Sequence, residues 1–185
     1  MIRLVVTALV LTLFAAARPA AAQTESAPTA AEPGSDAVRA MLSGYESVPT
    51  LAEWRRLGPA VLPVLIRLYE ARETAPYVRL RAIAATAAFP TELTRTFLRT
   101  VAQTATSDLI AREAVLTLGR AFADGIAEDV APFLQHDAPV VREAAARTLG
   151  RVGTPGCRAL LEARLPSEAH PVVRTALVRA LARAT

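Results

Sequence analysis

The side chains with most capacity for chemistry in this chain are arginines that recur at fixed distances. Arg79, Arg112, Arg142 and Arg174 follow one another at intervals of 33, 30 and 32 residues. A second set, Arg147, Arg151, Arg179 and Arg183, forms two i,i+4 pairs that keep a 32-residue register. Guanidinium is planar, stays charged at any accessible pH, and can grip a carboxylate or phosphate through two parallel hydrogen bonds. Either row could therefore bind an anion or brace a fold. All 21 basic residues are arginine in a chain without lysine, so arginine by itself marks nothing. The pattern is the signal.

Other reactive groups are sparse. Cys157 is the one cysteine, which excludes an internal disulfide framework and a cysteine-rich zinc site; it sits on an apolar stripe and reads as a packing thiol. His136 and His170 are the only histidines, and both fall in turns without a third ligand for a metal. No G-x-S-x-G motif is present, Ser107 and Ser167 lie in turns, and the Gly150, Gly153, Gly156 spacing is too loose for a phosphate loop. Trp54, Tyr69 and Tyr77 read as core or cap residues. No catalytic set, metal site or cofactor site emerges, and the expectation is a non-enzyme.

The elements that position these residues begin after an address segment. Met1 to Arg3 give a basic start, Leu4 to Ala17 are apolar and uncharged, and Ala20 to Ala22 offer small residues to a signal peptidase. Residues 1–22 thus read as a signal peptide of an exported, periplasmic or secreted protein, with cleavage before Gln23 and no membrane span left afterwards. Cleavage removes Arg3 and Arg18, leaving 19 basic and 17 acidic residues, a net charge of +2 rather than +4. That balance, with few aromatics, disfavours nucleic acid as a ligand. Residues 23–35 are small, polar and proline-containing, and read as a tether. Residues 36–185 form the domain. It opens with short helices over Asp36 to Tyr45 and Thr50 to Leu57, capped by Ser35 and Thr50.

From Gly58 onward the chain repeats. Pro139-Val140-Val141-Arg142 and Pro171-Val172-Val173-Arg174 lie 32 residues apart, Pro76-Tyr77-Val78-Arg79 is an earlier copy, and Leu109-Ile110-Ala111-Arg112 supplies the remaining one. Pro76, Pro139 and Pro171 suit the first helical turn, where a missing N–H costs nothing. Each copy opens a helix, termed B. In the third, Val141, Ala144, Ala145, Thr148, Leu149 and Val152 form one apolar stripe, with Gly150 and Gly153 ending it. A second set of helices, termed A, lies between them at Pro59 to Ala71, Glu92 to Ala102, Ala127 to Leu134 and Pro155 to Leu165. Hairpins of this size cannot bury their apolar faces alone, so they must stack. The expected fold is all-α, a solenoid of about four helical hairpins.

These units resemble HEAT repeats, in particular the short bacterial type of the phycobilisome-lyase-like proteins. The resemblance rests on Leu57-Gly58-Pro59-Ala60-Val61-Leu62-Pro63-Val64-Leu65-Ile66 with its internal proline, on Pro132 in Val130-Ala131-Pro132-Phe133-Leu134, and on Val141-Arg142-Glu143-Ala144-Ala145 with Leu149-Gly150. The second unit lacks both prolines, and Arg158 stands at the proline position of the last. The resemblance implies that Arg79, Arg112, Arg142 and Arg174 brace the turns, pairing with acids such as Glu73, Asp108, Asp137 and Glu168. It also implies that the B helices line the concave wall. There Arg147, Arg151, Arg179 and Arg183 would face solvent as a patch for a partner protein with an acidic surface. The expected function is an interaction scaffold. An enzyme or enzyme accessory of lyase or chaperone type, and a structural subunit of an envelope complex, are the rival readings. Leu181 to Thr185 bring no polar capping helix, so dimerisation through the C-terminal face is a further expectation.

Overall fold

Apolar periodicity and proline placement set the helix starts. The computed structural model describes residues 34–44, 48–122 and 125–183. The signal segment 1–22, almost all of the tether, Tyr45, Ser47 and the last two residues lie outside them. Within the described residues the chain is all-helical: α1 (Ser35–Ser43), α2 (Leu51–Arg56), α3 (Val61–Glu70), α4 (Pro76–Ala85), α5 (Glu92–Thr104), α6 (Asp108–Ala121), α7 (Ala127–Val130), α8 (Pro139–Val152), α9 (Pro155–Arg164) and α10 (Pro171–Arg183). No helix among them is long and apolar enough to cross a membrane.

The helices pair as α3/α4, α5/α6, α7/α8 and α9/α10, and the second member of each pair packs on the next, α4 on α6, α6 on α8 and α8 on α10. This is the α-solenoid. Its core falls into two clusters. One is built on Trp54, Leu65 and Val61 around the first hairpin. The other, on Leu98, Leu118, Leu149 and Leu177, runs through the following three. Tyr69 touches both and meets Phe97 edge-on at 5.4 Å.

Side-chain caps fix the starts of α2, α5 and α9. Thr50 closes a capping box, its hydroxyl accepting from the Glu53 N–H at 3.3 Å while the Glu53 carboxylate accepts from the Thr50 N–H at 2.7 Å. The Thr50 N–H, together with the Thr50 hydroxyl donating to the same carboxylate oxygen at 2.8 Å, holds the Glu53 carboxyl below its usual range. Thr154 caps α9 through the Cys157 N–H, and Cys157 itself is fully buried. Pro63 falls within the first turn of α3, where its missing donor goes unnoticed.

Three expectations need correction. Ser35 is the first residue of α1 rather than its cap, which is Gly34 without a side-chain bond. The helix expected over Ala127 to Leu134 is α-helical only to Val130 and continues as a 3-10 turn over Ala131–Gln135. Pro132 lacks the N–H that would bond back to residue 128, so the backbone tightens there. Gly150 does not end α8; Gly153 does, with φ 70° in the left-handed region. Gly150 lies within the helix, at a point where a Cβ would come within 2.6 Å of the Ala180 Cα. Its bare backbone lets α10 approach.

Candidate functional site

Three of the four turn arginines, Arg79, Arg142 and Arg174, act as braces, each differently. Arg142 donates from Nε and Nη2 to the two Glu168 carboxylate oxygens at 2.9 and 3.0 Å, and from Nη1 to the carbonyls of His136 and Asp137 at 2.8 and 2.7 Å. One side chain thus ties its own turn to that of the next repeat. Glu168 is buried and also accepts from Arg164 Nη2 at 2.7 Å and from the His170 N–H at 2.8 Å. Hydrogen bonding from Arg142 is the main cause, aided by the His170 N–H and the two guanidinium charges and opposed by burial; it pulls the Glu168 carboxyl down to about 2. Arg79 donates to the Tyr69 carbonyl at 2.7 Å and lies 4.8 Å over the Tyr69 ring. Arg174 reaches the carbonyls of Leu165 and Glu168 at 3.3 and 3.5 Å. Among the acids named from sequence, Glu168 alone takes a turn arginine with its side chain. Pro76, Pro139 and Pro171 are the first residues of α4, α8 and α10.

Arg112 stands apart. Arg79, Arg142 and Arg174 are each the fourth residue of their helices, but Arg112 is the fifth residue of α6. One residue is about 100° of helical rotation. Arg112 therefore turns away from its loop, makes no hydrogen bond or ion pair among the described residues, and takes the position that Glu143 and Thr175 hold on α8 and α10.

That fifth position belongs to a face of the B helices made of second, fifth, ninth and thirteenth residues. On α8 these are Val140, Glu143, Arg147 and Arg151, and on α10 they are Val172, Thr175, Arg179 and Arg183. A cavity of about 450 Å³ opens between the two helices, with Glu143, Arg147, Val172, Thr175, Arg179 and Arg183 in its walls. A second, of about 310 Å³, shares Arg147 and Arg183 and adds Leu116 and Arg151. The structure thus brings all four arginines of the second row to one groove.

The groove is electropositive for a local reason. Arg147 meets Glu143 at 3.4 Å across exposed side chains, a weak pair, while Arg151, Arg179 and Arg183 have no ion pair among the described residues. Gly119 on α6 is the counterpart of Gly150; a Cβ there would stand 2.5 Å from both Arg151 Nη2 and the Thr148 methyl. The bare glycine draws α8 in and brings Arg151 toward Arg120, the residue after Gly119. Burial first, then the charges of Arg120 and Arg147, hold the Arg151 guanidinium below its usual range. Arg120 itself pairs with Glu113 at 2.8 Å.

Two features escaped the sequence reading. Arg120 follows the same Leu-Gly step as Arg151, and that repeated tripeptide was the available signal. Tyr77, expected in the core or at a cap, is 40% exposed and heads a row with Leu109, Val140 and Val172, at 58%, 39% and 56%. Trp54 is buried as expected. His136 and His170 serve their turns: His136 Nδ1 accepts the Ala138 N–H at 3.1 Å. Among the described residues no group of three His, Cys, Asp or Glu side chains could hold a metal ion.

Residues 101–182, from the end of α5 through α10, match the family of HEAT repeats. This stretch is made of HEAT repeats. The hairpin before it, α3/α4, packs on this stretch through the contact of α4 with α6. No curated protein matches the chain in sequence. HEAT repeats commonly mediate contacts between proteins, and here the B-helix face carries a groove lined by Arg147, Arg179 and Arg183.

Proposed function

We propose that this chain is an exported, non-catalytic interaction module whose B-helix face receives another protein. One observation carries the reading. The B helices present in-register exposed residues around a shared groove, and Arg151, Arg179 and Arg183 there make no ion pair among the described residues. Stacked repeats make extended surfaces suited to protein partners. The three-part layout of residues 1–22 supports export.

The test is crosslinking in cells on the chain carrying a C-terminal tag, followed by capture, with sequencing of its N-terminus. The expected result is a mature chain beginning at Gln23 and a partner crosslinked through α8 or α10. An intact Met1 refutes cleavage before Gln23. Crosslinks confined to the A helices refute the proposed face, and turnover of a small molecule by the purified protein refutes the non-catalytic reading. A fixed stoichiometry in a large envelope assembly is the outcome that favours a structural subunit instead.

A further inference from the structure

The chemistry of the B-helix face is sorted into two rails. Along one edge the second positions are apolar in every repeat: Tyr77, Leu109, Val140 and Val172. Along the other edge the thirteenth positions of α6, α8 and α10 are Arg120, Arg151 and Arg183, with Arg147 and Arg179 one turn inward. Eleven residues of helix separate the edges, about 16 Å at 1.5 Å per residue. Neighbouring packed helices repeat at about 8–10 Å. The occupant must therefore be wide, apolar along one side, acidic along the other, and periodic at about 10 Å.

We propose that the face binds an amphipathic α-helix of a partner protein, laid across α6, α8 and α10. Its apolar edge sits on Leu109, Val140 and Val172 and its acidic edge meets Arg147, Arg151, Arg179 and Arg183. The proposal rests on the interaction reading above and names its partner's chemistry. A helix with its side chains is about 10–12 Å across and fills the strip between the rails, and residues seven apart on it recur at about 10.5 Å, the pitch of the stack. A lone extended strand, which needs only about 5 Å to its neighbour, reaches one rail at a time.

Charge complementarity selects the sign. The glycine-mediated approach of α6 and α8 crowds Arg151 against Arg120 and Arg147, and carboxylates arriving between them relieve that repulsion. The same face is ill suited to nucleic acid. The apolar rail offers phosphates nothing, and Glu143 stands in the groove wall.

The test uses the purified exported chain and a fluorescein-labelled peptide of about 16 residues, with leucines at i, i+3, i+4 and i+7 flanked by glutamates on one side. Binding is followed by anisotropy. The expected result is saturable binding that weakens with salt, and at least about tenfold loss in Arg147→Glu/Arg179→Glu, equivalent to about 1.4 kcal/mol. Val140→Asp/Val172→Asp should lose binding similarly on the apolar side. Circular dichroism melts confirm that each variant folds, and Arg147→Gln/Arg179→Gln replaces the reversal if it does not.

Equal binding of a scrambled peptide of the same composition overturns the helix. Equal or tighter binding of a DNA duplex of matching length overturns the acidic peptide in favour of nucleic acid. No binding of the designed peptide overturns the proposal. Capture of a cellular partner that persists in both double variants overturns the proposal while leaving the interaction module standing.

Discussion

Glu168→Gln removes one charge from the most densely bonded carboxylate of the described structure and keeps its volume. In the folded chain that carboxyl sits at about 2 against an ordinary 4.5. A group whose folded pKa is depressed adds stability above its unfolded pKa and loses it as pH falls toward the folded one. At neutral pH the gap is worth about 3 kcal/mol, and near pH 3 about 1 kcal/mol remains. The substitution also leaves Arg142 and Arg164, whose side chains are only 13% and 12% exposed, without their counter-charge. The expected result is a loss of about 3 kcal/mol near pH 7, a melting temperature lower by about 6–12 °C for a chain of this size. Paired urea unfolding curves of the two proteins, followed by circular dichroism near pH 7 and pH 3, check it. A deficit that stays constant between those pH values would refute the charge-based account, and no deficit at all would refute the brace.

Arg142→Ala should destabilise the chain by about 3 kcal/mol, since it strands buried Glu168, whereas Arg112→Ala should stay within about 0.5 kcal/mol; thermal melts of the two variants compare them directly. Gly150→Ala places a methyl against the Ala180 backbone and should cost about 1–3 kcal/mol by denaturant titration. Asp129 is buried between Arg95 and Arg99, at 2.6 and 3.3 Å, and ties α7 to α5. Asp129→Asn should lose about 2 kcal/mol and raise amide exchange in α7 more than in α10.

Much of the architecture is legible in the residues, and particular elements show why the rest is not. Proline followed by two apolar residues and arginine announces α4, α8 and α10, because missing donors and apolar periodicity act locally. The end of α7 is harder to read. A weak four-residue helix passes into a 3-10 turn at Pro132, and the balance between the two depends on how α8 packs behind it. Gly150 looks like a stop signal, yet the close approach of a helix 30 residues later decides its use, and no local pattern carries that information. The arginine patch was visible as spacing. Its apolar companion was not, since Val140 and Val172 adjoin true core residues and hydrophobicity alone does not say which side of a helix is covered.

The displacement of Arg112 has a consequence for how such arrays acquire new roles. A tandem array usually changes its surface by substitution, which puts each inherited scaffold contact at risk. Here the same residue type, kept at nearly the same place in the unit, changes its job by sliding one step along the helix. Where neighbouring braces secure the stack, one unit can release its own and place a charge on the B-helix face without a new amino acid. Engineered stacks of this kind could be given binding charges by phase rather than by composition. Deleting one residue between Ser107 and Arg112 would be the reverse operation, returning the guanidinium to its loop.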